Sequence, residues 1–311
     1  MHAAAINLRG GVSPRNTRLR GQSIIEYVLI IAVIGLVIVF AGPGVAGAIR
    51  NQFNQVTNTV DSGTEGDNFM SAEEKAYREA MKTVVNKDAK DWTLDEQKAA
   101  ATDIAKNGTS SVVYAKAKAA METGTTWSLK LATGNTMPYR IIGINHDDLA
   151  DGSGKAGLTF EAMNGALGCL PMNATNTNAA GWEKSELRNR LNSGDPWALL
   201  TSDFKDKVKP VKKLTDNQGG GKVGTPTVTI DKMFLLSRTE VWGDSYKEGS
   251  QYEYFAFKGV TVSNCSAACG NYRWTRSVAP WNGIFYRITS NGSMSNEDAD
   301  ETLYAQPAWC F

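Results

Sequence analysis

Hydrophobic side chains follow three successive patterns along the chain. From Ile24 to Ala41 the sequence is almost continuously apolar, interrupted only by Glu26 and Tyr27. Between residues 45 and 60 apolar residues recur at steps of three and four, which predicts one apolar face of a helix. After residue 126, short apolar or alternating runs are separated by loops rich in Gly and Asn, as is typical of strands in a mixed fold.

Polar residues between these patterns predict helix starts and domain boundaries. Ser71 with Glu74, and Thr93 with Glu96, have the spacing of capping boxes. A third helix is expected to end at Gly124. The regions predicted are a basic leader (1–21), an apolar assembly helix (22–60), a linker (61–68), a helical spacer (69–124) and a globular domain (125–311).

The last region is expected to be one α+β domain, long enough to bury its own core. Its predicted strands are 127–131, 139–145, 158–163, 227–230, 233–236, 252–257 and 285–289, with helices near 183–192 and 203–208. The fold class expected for the whole chain is therefore α+β, with a long N-terminal hydrophobic helix, a short helical spacer and a C-terminal mixed domain.

Charge is unevenly distributed over the 311 residues. The chain has 33 basic and 32 acidic residues, and four arginines fall within residues 1–21, which contain no acid. Without that leader, 29 basic residues stand against 32 acidic ones. Nothing downstream of the leader is basic enough to indicate nucleic-acid binding.

Four cysteines lie in the last half of the chain, at positions 169, 265, 269 and 310. An even number beyond an apolar segment favours disulfides over free thiols. Zinc is disfavoured because the only histidines are His2 and His146. Of the three possible pairings, Cys169–Cys310 with Cys265–Cys269 is preferred, because the first would tie the chain end to the domain and the second would shape a small loop.

The apolar segment admits several interpretations. Its length fits a membrane anchor, with the flanking arginines on the cytoplasmic side. A secretory signal peptide is a second interpretation, since Ala46-Gly47-Ala48 fits a cleavage site, although the apolar run exceeds the usual length. Neither explains Glu26, whose carboxylate would cost roughly 2.5–3.5 kcal/mol at a bilayer centre.

A third interpretation accounts for that acid. Gly21, followed by Gln22 and then Glu26-Tyr27, resembles the processing site of type IV prepilins of the Flp subclass built by Tad systems. The resemblance implies cleavage after Gly21 and a free amine on Gln22. The Glu26 carboxylate of a neighbouring subunit could pair with that amine and set the axial register between helices.

The same resemblance implies partners and a location. A prepilin peptidase would process the precursor in the cytoplasmic membrane, and other pilin subunits would pack with it in an extracellular helical filament. Flp pilins resemble residues 22–60 and typically end near there, whereas this chain continues for about 250 residues. The expected function is a pilin-like structural subunit that displays a large domain for adhesion or surface interaction.

The C-terminal region resembles a domain family of unknown function found on bacterial surface proteins. The W-T-R-S element and the closing P-A-W also resemble C-type-lectin-like folds, which implies a fold rather than a function. The segments that carry the first resemblance are Tyr139–Gly143, Trp182–Arg188, Phe234–Ser237, Tyr252–Phe255, Trp274–Ser277 and Gln306–Phe311.

The sequence contains no convincing catalytic set, and we expect no enzyme activity, cofactor or metal. His146 precedes two acids, as expected of a structural hydrogen-bonding residue, and the stretch from Asp147 to Glu161 fails the EF-hand pattern. The alternative function is a secreted or anchored module that binds a glycan or protein without polymerising. An enzyme with the formylglycine-related fold ranks third. The surface ligand is not predicted.

Overall fold

Two five-stranded sheets form the frame of the computed structural model, which describes residues 70–311. The first sheet has the order β1-β2-β3-β12-β7 and the second the order β10-β9-β8-β11-β4, while β5 and β6 form a separate ribbon. The strands are β1 (Thr126–Lys130), β2 (Thr136–Ile144), β3 (Leu158–Ala162), β4 (Cys169–Leu170), β5 (Val211–Thr215), β6 (Thr227–Asp231), β7 (Met233–Phe234), β8 (Arg273–Val278), β9 (Ile284–Ile288), β10 (Met294–Asp298), β11 (Leu303–Tyr304) and β12 (Ala308–Cys310).

Short helices surround the sheets. The α-helices are α1 (Ala72–Val84), α2 (Leu94–Asn107), α3 (Tyr114–Thr123), α4 (Gly181–Lys184), α5 (Glu186–Ser193), α6 (Asp195–Ala198), α7 (Ser202–Lys207), α8 (Arg238–Trp242) and α9 (Glu253–Phe257). Single 3₁₀ turns lie at Ala89–Asp91, Gly108–Ser110 and Ser266–Ala268. The described part of the chain is thus α+β, as the sequence predicts for its C-terminal domain.

Aromatic packing holds the first sheet around strand β12. Trp309 on β12 is paired in register with Phe160 on β3 and Met233 on β7, and it is fully buried. Its ring centroid lies 5.3 Å from that of Tyr139 on β2 and 5.2 Å from that of Phe204 on α7. Such close aromatic contacts add to the free energy gained by burying each ring, so β12 joins the two halves of the sheet.

Helices α1 to α3 belong to the same core as the sheets. Val84, Trp92 and Ile104 are buried in the hydrophobic cluster that also contains Phe160 and Trp309. Residues 70–311 form one compact unit. These helices are therefore part of the domain, and the predicted spacer over residues 69–124 does not stand apart from it.

The helix caps expected from the sequence are present. The Ser71 side chain accepts a hydrogen bond from the Glu74 amide, and Thr93 forms a complete capping box with Glu96. Gly124 ends α3 in the left-handed conformation, with φ 70°. One predicted strand is wrong, because residues 253–257 form helix α9.

The predicted fold class needs a correction at its N-terminal end. None of the helices within residues 70–311 is long and apolar enough to cross a membrane, and the longest has 14 residues. The expected long hydrophobic pilin helix is therefore not a feature of the described fold, which consists of several sheets and short helices. The segment on which that expectation was based, residues 22–60, lies outside the described residues.

Candidate functional site

The predicted processing and assembly residues, Gly21, Gln22, Glu26 and Tyr27, lie outside the described residues. All four cysteines lie within them, and all four are free thiols. No metal cluster of three or more His, Cys, Asp or Glu side chains occurs between residues 70 and 311.

The structure does not form the two preferred disulfides. Cys310 is buried in the first sheet, where its sulfur lies 3.3 Å from Thr159 Oγ1, whereas Cys169 is exposed on β4 of the second sheet. Cys265 and Cys269 flank a 3₁₀ turn, and the Cys265 sulfur contacts Ser293 Oγ at 3.3 Å instead of its predicted partner. The pairing was inferred from the positions of the cysteines along the chain, which carry no information on the distance between Cβ atoms.

A buried network of charges lies at the centre of the domain. Lys213 Nζ lies 2.5 Å from Asp147 Oδ1 and 2.6 Å from Glu240 Oε1, and the exposed fraction of each of these three side chains is at most 3 %. Arg276 pairs with both oxygens of Glu240. The Tyr252 hydroxyl donates to Asp147 Oδ2 over 2.9 Å. The network positions strands and loops from within the core, where it is closed to solvent.

The titration of these groups reflects their pairing. Burial alone would raise the pKa of Asp147, but the adjacent Lys213 ammonium holds that pKa well below its usual range. Glu248 differs, because burial dominates and raises its pKa to about 7. Its carboxyl group accepts hydrogen bonds from the Ser277 hydroxyl and, at 2.9 Å, from the Asp216 amide. The sequence pattern did not single out Glu248 as a buried acid.

A Ser–His–Glu arrangement lies beside this network. His146 Nε2 is 3.3 Å from Ser250 Oγ, and His146 Nδ1 is 3.1 Å from Glu253 Oε1. The imidazole ring stacks on Tyr252 with centroids 4.1 Å apart. This order of contacts is that of a nucleophile, a base and an orienting carboxylate. The three residues come from separate loops and helix α9, which explains why sequence reasoning found only a structural role for His146.

An open groove surrounds Tyr304 on β11. Two depressions of about 450 and 410 Å³ share this residue, and we call them together the Tyr304 groove. The first is lined by Tyr272 and Arg287, and the second by Asn164 and Asn271, among others. Exposed aromatic rings beside amide groups are typical of ligand sites.

A smaller pocket, lined by two arginines and a glutamate, lies where the first sheet meets the start of β8. Arg140 on β2, Glu161 on β3, Arg273 on β8 and Gln306 before β12 line a cavity of about 30 Å³. We call it the arginine pocket. Arg140 Nη2 lies 2.8 Å from Glu161 Oε2, and Arg140 Nη1 donates to the Tyr254 hydroxyl over 2.9 Å. Arg140 is thereby fixed between β3 and helix α9.

The arginine pocket and the Tyr304 groove adjoin along the chain. Met163 and Gly270 line the pocket, and the next residues, Asn164 and Asn271, line the groove. Sequence reasoning missed both features, because their residues are far apart in the chain. The available signal was the presence of charged residues within apolar strand runs, as at Arg140 in Y-R-I-I and Glu161 in L-T-F-E-A.

Comparisons with known proteins give one match. Neither the curated proteins nor the solved structures yielded a match to the chain. No prepilin or Flp/Tad family model matches, which corrects the expectation that the chain would be identified as a pilin, and no matching structure supports the C-type-lectin-like analogy. The C-terminal domain is similar to a family without an assigned function: residues 163–310 match the family model described as a domain of unknown function, DUF6273.

Proposed function

We propose that this chain is a structural protein that displays its α+β domain for adhesion or surface interaction, with the Tyr304 groove as the ligand-binding face. The observation that supports the proposal most is the groove itself, where Tyr272, 45 % exposed, lines one depression with Arg287 and three asparagines line the other. The buried charges of the central network are already paired with one another, so a partner would meet the groove rather than that network.

The groove has the chemistry of a binding site. The guanidinium carbon of Arg287 lies 5.0 Å from the Tyr272 ring centroid, so the two side chains form a cation–π contact. The ring of Tyr304 packs so closely on Gly165 that a Cβ atom there would lie 1.8 Å from it. The Tyr304 ring is thus held in place before a ligand arrives, which lowers the entropy lost on binding.

A binding measurement on the full chain tests this function. The protein is applied to an array of neutral and acidic oligosaccharides and to immobilised extracellular-matrix proteins. Tyr272→Ala should weaken any specific binding at least tenfold, because it removes an exposed aromatic contact. Phe257→Ala removes an aromatic ring that is 56 % exposed and does not line the groove, and it should leave binding unchanged. Binding that is insensitive to Tyr272→Ala, or no binding to either class, contradicts the proposal.

The route of display is a separate proposal. Gly21, Gln22 and Glu26-Tyr27 support a precursor that is cut by a prepilin peptidase and assembles as a subunit of a Tad/Flp-type surface filament. Sequencing the N-terminus of protein isolated from the cell surface decides between the routes. A start at Gln22 is expected, whereas a start at Ile49 indicates a cleaved signal peptide and a module that does not polymerise.

A second candidate function is acyl-ester hydrolysis at Ser250, favoured by its contact with His146. Ser250 Oγ would attack the ester carbonyl carbon and pass its proton through His146 Nε2 to the departing alcohol, and water would then release the acid. A fluorophosphonate probe should label wild-type protein but not Ser250→Ala, and His146→Gln should slow labelling. An unlabelled wild-type protein rules this candidate out.

A further inference from the structure

The arginine pocket contains more positive charge than its own residues balance. Arg140 is paired with Glu161, but the Arg273 side chain makes a single hydrogen bond, from Nη2 to the Ala268 carbonyl oxygen at 3.0 Å. Among the ion pairs within residues 70–311, none includes Arg273, which is only 4 % exposed. Burial lowers the pKa of its guanidinium, an effect that Glu161 opposes and Arg140 reinforces. A buried cation without an ion pair is costly, and an anion in the pocket would offset that cost.

Two further polar atoms in the pocket have no partner. Arg140 Nε is a buried donor and Gln306 Oε1 is a buried acceptor, and neither makes a hydrogen bond. Gln306 is 5 % exposed. Leaving such buried groups unpaired is unfavourable. A ligand that both accepts and donates hydrogen bonds would satisfy these atoms. A carboxylate with a neighbouring hydroxyl is such a ligand.

Size restricts what can enter. The cavity of about 30 Å³ exceeds the space needed for one water, which is roughly 10–15 Å³ by the same kind of measure. It accommodates the two oxygens of a carboxylate but not a ring. The rest of the ligand would lie outside, and the adjoining half of the Tyr304 groove offers about 410 Å³ lined by Asn135, Asn164 and Asn271. Amide groups are suited to bind hydroxyls, and the Tyr304 ring offers an apolar face.

We propose that the arginine pocket anchors the carboxylate of an acidic sugar residue, a hexuronic acid within a glycan, whose ring lies in the Tyr304 groove. Arg273 binds the carboxylate, which its planar guanidinium can do through two parallel hydrogen bonds. Gln306 Oε1 accepts from the adjacent hydroxyl. Arg140 and Glu161 hold the pocket open from the first sheet. This inference rests on the proposed function and specifies the ligand class for the same groove.

The test compares three small probes against the full-length protein by titration calorimetry. Methyl glucuronide, used as the methyl glycoside, and methyl glucoside differ only at C6, where the glucuronide has a carboxylate and the glucoside a hydroxymethyl group. N-acetylglutamic acid amide carries a carboxylate without a sugar ring. We expect methyl glucuronide to bind at least tenfold more tightly than the other two. Equal affinity for glucuronide and glucoside overturns the inference, as does a preference for the glutamate derivative, which would indicate an acidic peptide.

Variants locate the effect in the arginine pocket. Arg273→Gln should reduce the preference for glucuronide over glucoside to about twofold or less. Cys269 lines the pocket and is exposed, so Cys269→Glu places a carboxylate beside Arg273 without disturbing the core and should also abolish the preference. Ser266→Glu adds the same charge to the same turn at an exposed position outside the pocket lining, and it serves as the control.

The results separate this inference from the proposed function. Glycan binding that is weakened by Tyr272→Ala but unaffected by Arg273→Gln and by Cys269→Glu refutes the carboxylate anchor and leaves the Tyr304 groove as the binding face. If the wild-type protein binds nothing specifically in the array and binds none of the three small probes, both the proposed function and the carboxylate anchor are refuted.

Discussion

The Glu248 carboxyl group is buried and forms no ion pair within residues 70–311, whereas Asp147 and Glu240 pair with basic side chains. Its pKa is raised from 4.5 to about 7, mainly because it is buried. The folded protein therefore keeps a proton that the unfolded chain releases above about pH 4.5. By linkage, stability falls as pH rises from 4.5 to 7, by up to about 1.4 kcal/mol per pH unit.

Glu248→Gln should remove this dependence, because a neutral amide of the same shape replaces the titrating group. The free energy of unfolding is measured with urea at pH 5, 6 and 7, and the decline should be shallower in the variant than in the wild type. Glu301→Gln changes an exposed acid and should keep the wild-type slope. A parallel decline in Glu248→Gln and the wild type would contradict the assignment.

Charged residues also show how far a single position can be interpreted from sequence. Arg140 and Glu161 stand within apolar strand runs, so burial with a partner could have been expected for both, whereas Arg276 stands between a threonine and a serine and gives no such signal. Which partner each one has could not be expected, because Arg276 meets Glu240 only after strands and helices from different parts of the chain have packed. The preferred cysteine pairing likewise depends on how distant segments pack, which the spacing of the cysteines does not specify.

Helices with local signals were the elements best predicted. The caps at Ser71 and Thr93 act within one turn of their helices, so sequence spacing alone identifies them. Residues 252–257 were mistaken for a strand because a short aromatic run fits either period. Strand β12 was missed because it has only three residues and is defined by its neighbours β3 and β7.

Helix α2 packs directly on the start of strand β3, and the contact depends on Gly157. A Cβ atom on Gly157 would lie 1.8 Å from the Ala101 carbonyl oxygen of α2. Gly157→Ala should therefore push the helix away from the sheet and lower the free energy of unfolding by about 3 kcal/mol, the upper end of typical overpacking costs. Urea denaturation measures the loss.

Gly152→Ala provides the comparison for that variant. Gly152 has φ 74° and no atom within 4 Å of the Cβ position, so alanine there adds backbone strain alone, about 1–2 kcal/mol. If the two variants lose the same free energy of unfolding, the close contact between α2 and Gly157 adds no cost beyond backbone strain, which would contradict the prediction.

At the scale of the whole molecule, the helices and the two sheets share one core, and we expect them to unfold together. Ile104 on α2 and Phe285 on β9 are both fully buried. Ile104→Ala should cost about 2–5 kcal/mol and Phe285→Ala about 3–5 kcal/mol. Each should shift a single transition, followed by both far-UV circular dichroism and tryptophan fluorescence.

An independent helical spacer would behave differently. Ile104→Ala would then produce a separate unfolding transition of the helices at lower denaturant concentration and leave the transition of the sheets unchanged.

The candidate sites also depend on packing between distant parts of the chain. The arginine pocket contains residues from Arg140 to Gln306, and the Tyr304 groove spans an equally long stretch. Such sites arise from topology, so composition and local pattern could predict a binding domain but not the residues that bind.

Strand β12 has a consequence for biosynthesis. It pairs with β3 on one side and β7 on the other, so the first sheet stays in two pieces until residues 308–310 are available. The ribosome adds those residues after every other described strand, and the domain therefore completes its fold only after translation has passed them. A truncated product that lacks them exposes the open edges of β3 and β7, which makes it a substrate for aggregation and for quality-control proteases.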